Sequence, residues 1–118
     1  MPVRIMERRA VQLAKAVPIF AALGESIRLS MIAQLSSEGP LPTIQLKQRT
    51  DISRQAVTKH LRILEDAGLV RSERVGRDRL WRVDTRHLVE IRKYLDQISA
   101  QWDQRLERLR TLVEIDPR

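Results

Sequence analysis

Apolar side chains recur along this chain at helical intervals, and the breaks in that rhythm divide it into elements. Val3, Met6, Ala10, Leu13 and Val17 alternate three- and four-residue steps, which predicts an N-terminal helix over about 3–17 with one apolar seam, ended by Pro18. A second helical stretch is expected from about Ile19 to Ser37, carrying Phe20, Leu23, Ile27, Met31, Ile32 and Leu35, with a break near Gly24 and Glu25. From Glu38 to Pro42 the chain reads as a loop, because Gly39, Pro40 and Pro42 together oppose both helix and central strand.

Thr43 can cap a short helix through Thr50, with Ile44 and Leu46 inward, and Asp51 occupies the following turn, where an Asp tolerates positive φ. Ser53 then stands where an N-cap belongs, and Gly68 where a helix ends in the left-handed conformation. Between them Val57, Leu61 and Leu64, with Ala56 and Ala67 beside them, form an inward stripe. Arg54, Gln55, Thr58, Lys59 and Arg62 remain on the outer face. Those side chains suit base edges and phosphates, so residues of about 43–67 read as a helix-turn-helix with a DNA recognition helix. Two β-prone runs, Leu69 to Val75 and Arg79 to Val83, flank Gly76, Arg77 and Asp78, which is hairpin chemistry; they predict a two-stranded wing over about 69–83.

A last helix is expected over about 85–113, capped by Asp84 or Thr85, with Leu88, Ile91, Leu95, Ile98, Trp102, Leu106, Leu109 and Val113 along one seam. One helix cannot bury such a seam alone. Together with the N-terminal seam it predicts a homodimer whose interface holds Met6, Ala10, Leu13, Leu88, Ile91, Leu95, Ile98, Trp102 and Leu106. The expected fold class is therefore mainly α: a single winged helix-turn-helix domain over residues 1–118, with long terminal dimerisation helices.

Composition narrows the partner. The chain is 42% apolar and 31% charged, as in a globular protein with a heavily solvated surface. Of the net charge of +7, residues 1–42 carry +2, residues 43–83 carry +5 and residues 84–118 carry none. The excess coincides with the recognition-helix region, which favours double-stranded DNA as partner. There is no cysteine, hence no disulfide, thiolate metal site or thiol-based sensing, in keeping with a cytoplasmic protein. Neither a signal peptide nor a membrane span is expected, since no apolar run of about 18 residues exists. An enzyme is not expected either: the four glycines are isolated, the two histidines lie far apart, and no Ser, His and Asp grouping is signalled. The alternative is a basic winged-helix module that binds RNA or a protein partner. Only 3% of residues are aromatic, which leaves few stacking platforms for RNA, and a protein-binding module would not require the basic face.

Specific residues resemble those of the ArsR/SmtB-type winged-helix repressors. The segment from Ala22 to Leu29 is similar to that family's Leu-x-Asp-Pro-Thr-Arg motif, with Leu23 and Arg28 kept and Glu25, Ser26 and Ile27 replacing Asp, Pro and Thr. Leu46, Ile52, Ser53, Val57, His60, Leu61, Leu64 and the run Ala67-Gly68-Leu69-Val70 follow its helix-turn-helix at matching intervals, and Gly76, Arg77 and Trp81 match its wing. The resemblance implies recognition helices in successive major grooves of a partly palindromic operator. Ser53, Arg54, Gln55, Thr58 and Lys59 would face DNA; Lys59 and Arg62 would reach phosphates, as would Arg74, Arg77 and Arg79 on the wing. His60 has two readings, a contact with DNA or a polar pin within the fold. Departures bear on sensing. The paired cysteines of thiolate-sensing members are absent, and Asp84, His87 and Glu90 imitate only a fragment of the zinc set of others, so no metal and no cofactor are expected. Lys47 stands where a small residue is common. No small-molecule effector is indicated.

Overall fold

The computed structural model describes residues 14–115, so the predicted seam positions Met6, Ala10 and Leu13 lie outside the described residues. Helix α1 (Ala14–Leu23) runs straight past Pro18, where the sequence pattern predicted an end. Proline's fixed φ is itself helical, and its missing N–H removes one hydrogen bond. The continuing inward stripe of Ala16, Ile19 and Ala22, all buried, offsets that loss. The predicted break is present: Gly24 donates to the Ala21 carbonyl at 3.3 Å, and α2 (Ser26–Glu38) departs at 92° from α1.

Helix α2 buries Met31, Ile32 and Leu35 and ends at Gly39, whose φ of 84° lets its N–H turn back to the Leu35 carbonyl. The segment expected to be loop then supplies a two-residue strand, β1 (Leu41–Pro42). Leu41 is buried, and the antiparallel register sets it against Trp81 and Pro42 against Leu80. In the strand order β1-β3-β2, β1 lies at an edge, the one place in a sheet that accommodates a proline. The wing is thus part of a three-stranded sheet.

Helix α3 (Thr43–Gln48) differs from expectation in two side chains. Thr43 is not its cap: the hydroxyl sits in the core and accepts the Trp81 indole N–H at 2.9 Å. Ile44 is 43% exposed, while Leu46 is buried as expected. The turn that follows uses no left-handed residue at Asp51, since among the described residues only glycines have positive φ.

Helix α4 (Arg54–Asp66) buries Val57, Leu61 and Leu64 completely and packs on α2, α3 and the sheet. Strands β2 (Val70–Val75) and β3 (Asp78–Val83) form a hairpin in full antiparallel register from Val70 with Val83 to Val75 with Asp78. Gly76 at φ 63° precedes Arg77 at negative φ, the arrangement of a type II′ turn, whose twist suits a two-residue hairpin. Helix α5 (Arg86–Ile115) begins in the first of two compact units, residues 1–87, and makes up the described part of the second, residues 88–118. No single described helix is long and apolar enough to cross a membrane.

Candidate nucleic-acid interface

The N-terminus of α4 is built by a side-chain cap. Ser53 keeps extended backbone angles, and its hydroxyl accepts the Ala56 N–H at 3.1 Å, satisfying one of the amides a helix start leaves over. At the other end Gly68, at φ 78°, carries the chain into Leu69, whose N–H returns to the Leu64 carbonyl at 2.9 Å. A Cβ on Gly68 would also run into the His87 ring, its Nε2 only 2.8 Å away. With both ends set and one stripe buried, the orientation of α4 is determined, and so is its outer face.

That face carries Arg54, Gln55, Lys59 and Arg62 exposed and Thr58 half-buried, with Ser53 exposed just ahead of the helix. Gln55 and Lys59 make no side-chain hydrogen bond or ion pair with another described residue. Arg54 is different: its Nη2 lies 3.2 Å from Asp78 Oδ1, across the wing turn. Asp78 in turn accepts the Arg79 N–H at 2.7 Å and the Ile44 N–H at 3.1 Å, which makes it the cap of α3 from 34 residues away. Burial raises the Asp78 pKa, but hydrogen bonds from Thr43 and the Arg79 and Ile44 amides, with the charge of Arg54, outweigh it and hold the carboxyl below its usual range.

Arg62 and Arg79 belong to a second tie between α4 and the wing. Arg62 donates to Glu65 at 2.7 Å and lies over the Trp81 ring, 5.5 Å from its centroid. The other Glu65 oxygen accepts the Ser72 hydroxyl at 2.7 Å, and Arg79 Nε donates to that hydroxyl at 3.0 Å. Burial raises the Glu65 pKa, yet the bonds from Ser72 and Arg62 and the charges of Arg62 and Arg79 lower it on balance. On the wing Arg74 donates to the Gly76 carbonyl at 3.3 Å, and Arg77 is exposed at the tip. The structure thus brings Arg54, Arg62 and Arg79 together around Asp78 and the Glu65–Ser72 pair, and leaves Gln55, Thr58, Lys59, Arg74 and Arg77 outside that arrangement.

His60 lies on the fold's side of this arrangement. Its Nδ1 is 3.2 Å from Arg28 Nη1, and Arg28 also donates Nε to the Ala22 carbonyl at 2.7 Å. The motif arginine therefore fastens the α1–α2 corner to α4 through His60. Asp84 is buried and occupied by guanidinium groups: Arg86 at 2.7 Å and Arg71 at 3.6 Å. Those hydrogen bonds and charges lower its pKa to about 2. Among the described residues no group of three His, Cys, Asp or Glu side chains is placed to hold a metal ion.

The predicted interface positions on α5 divide by exposure. Ile91 is buried, Leu88 and Ile98 are half-buried, and Leu95, Trp102 and Leu106 are 45%, 56% and 58% exposed. Leu109, Leu112 and Val113 continue the exposed apolar positions. Sequence reasoning missed Asp78, Glu65, Ser72 and Arg28 as organising residues. Asp78 had a local signal, as a turn-favouring Asp after Gly76, and Arg28 had one as a kept residue of the family motif; Glu65 and Ser72 had none.

Comparison with known proteins agrees with this geometry. A helix-turn-helix domain family model matches residues 23–73. The uncharacterized HTH-type transcriptional regulator YuzN of Bacillus subtilis is 47% identical over 68 residues, 52% of this chain and 74% of its own. An ArsR-like transcriptional regulator from Rhodococcus sp. RHA1 superposes with a TM-score of 0.71 at 34% identity, covering 86% of this chain and 92% of its own. A homodimeric winged helix-turn-helix DNA-binding domain from Mycobacterium bovis, a possible ArsR-family regulator, superposes with a TM-score of 0.61 at 25% identity, covering 86% and 90%. The capped recognition helix, the wing and these likenesses together make the chain a member of the ArsR/SmtB-type family of winged-helix transcriptional regulators.

Proposed function

We propose that this protein is a homodimeric, sequence-specific DNA-binding repressor that acts in the cytoplasm on a partly palindromic operator, without a metal or other cofactor and without catalysing a reaction. The observation that carries this reading is the outer face of α4, where Gln55 and Lys59 are exposed, with no side-chain partner among the described residues, beside Arg54 on a helix fixed at both ends. Gln and Arg have the hydrogen-bonding geometry to read adenine and guanine edges in a major groove. Ser53 and Thr58 flank them as contacts to bases or phosphates, while Lys59 and Arg62 reach phosphates. The wing supplies positive charge without side-chain amides: Arg74 and Arg77 track the backbone, with Arg79 opposite Arg74 near the turn.

Two copies are held together by the apolar seam of α5, through Leu88, Ile91, Leu95, Ile98, Trp102 and Leu106. In support, Leu95, Trp102 and Leu106 form a row of large apolar side chains that a single copy leaves exposed.

Salt titrations of specific and random duplexes test the division of labour between helix and wing. Replacing Gln55 by Ala is expected to relax base preference at one position per half-site, costing about 1–3 kcal/mol for a good bidentate contact. Replacing Arg77 should weaken all sequences alike and make the slope of log affinity against log salt shallower by about 0.9 per half-site. Wing variants that alter the preferred sequence while helix variants do not would reverse the assignment.

A further inference from the structure

Building on the DNA-binding reading above, we propose that Asp78 is a specificity-determining positioning residue: it holds the Arg54 guanidinium in the orientation in which it reads a guanine. Arg54 is the first residue of α4, its side chain is 53% exposed, and among the described residues it makes no hydrogen bond or ion pair within its own helix. The restraint comes from the wing turn, through the 3.2 Å approach of Nη2 to Asp78 Oδ1. Asp78 is suited to this because backbone fixes it. The Arg79 amide holds Oδ1 and the Ile44 amide holds Oδ2, and the side chain is only 22% exposed. A carboxylate held by two main-chain amides is a stationary point, whereas an exposed Arg–Asp pair between two free side chains would order neither.

Two consequences follow for recognition. A guanidinium presents five N–H donors in a planar fork, so one contact to Asp78 leaves donors for a base edge while removing rotamer freedom that binding would otherwise have to remove. At the same time the Asp78 charge opposes phosphate oxygens nearby. Arg54 therefore gains selectivity for a base while the protein gives up some sequence-independent attraction. Gln55, one residue on, has no such partner among the described residues and serves as the internal control.

The test is a cycle of Arg54→Ala, Asp78→Asn and the double variant in the full chain, measured against the preferred operator, a set of single base-pair changes in it, and random duplex. Arg54→Ala is expected to lose about tenfold or more of its discrimination at one position per half-site, as for a bidentate contact. Asp78→Asn should lose about three- to tenfold at that same position, keep discrimination at the Gln55 position, and bind random duplex as tightly as or more tightly than wild type. In the Arg54→Ala background it should remove nothing further. Asp78→Ser, which keeps a neutral acceptor for one of the two amides, repeats the measurement should the Asn variant fail to fold. Full discrimination in the Asp78 variants, an even loss at every position, or the same loss with Arg54 already absent would each overturn the proposal. A wild-type protein with no base preference would instead overturn the DNA-reading function itself.

Discussion

At the scale of single residues, stability and function are set by a few polar atoms in places the apolar pattern does not describe. The Trp81 indole N–H is buried and, among the described residues, meets only the Thr43 hydroxyl, so Thr43→Val, nearly the same shape, leaves a donor unsatisfied. It should cost about 1–3 kcal/mol in denaturant unfolding. Gly68 and Gly76 offer a paired comparison, because both have positive φ but only Gly68 faces a neighbour, the His87 ring. Alanine at either should cost about 1–2 kcal/mol for the left-handed conformation, and Gly68→Ala should melt lower than Gly76→Ala by the added overlap. The Asp84 carboxyl, lowered to about 2 by hydrogen bonds and charge from Arg86 with Arg71 beyond, links stability to pH. Its stabilising effect is complete above its ordinary pKa of 3.8 and fades as pH falls from there through about 2. Melting curves across that window should flatten in Asp84→Asn, and an unchanged acid slope would remove Asp84 from the account.

At the scale of elements, what was legible in the sequence was what local chemistry decides. Ser53 and Gly68 mark α4 at both ends because a cap and a left-handed stop act within four residues, and the Gly76–Arg77 hairpin follows from the same short reach. Ser53→Ala should accordingly cost about 1 kcal/mol, read from chemical denaturation, with the hydrogen bond to the Ala56 amide gone. What was not legible depends on distant partners. Thr43 resembles a cap locally, yet its hydroxyl is claimed by Trp81, and the cap of α3 comes from Asp78, which follows α4 in the chain. Leu41 and Pro42 look like loop until β3 offers an edge, and Pro18 looks like a stop until Ile19 and Ala22 bury beyond it. The outer face of α4 was readable from helical spacing alone. That Arg54, Arg62 and Arg79 on or near it are engaged by Asp78, Glu65 and Ser72 was not, since an exposed arginine reads the same whether or not a carboxylate faces it.

At the scale of the whole molecule, a basic recognition unit is followed in the chain by a helix whose apolar seam a single copy leaves largely exposed. Leu95 and Leu106 remain 45% and 58% exposed in a single copy. Burying a Leu-sized side chain is worth about 1.5–3 kcal/mol, so Leu95→Asp with Ile98→Asp should split the dimer, and sedimentation at micromolar concentration would show monomers where wild type sediments as dimer. Chelators or stoichiometric zinc should leave operator affinity unchanged, as befits a chain without cysteine whose Asp84 is held by Arg86. A nanomolar zinc site that alters DNA release would contradict that expectation. The most direct measurement is selection of binding sites by the full-length protein from a library of random duplexes. A dimer reading DNA through two α4 helices predicts an enriched consensus with two inverted half-sites, their centres about one helical turn or 10 base pairs apart or a multiple of it. No enrichment over random duplex, or a single asymmetric site, would contradict the account.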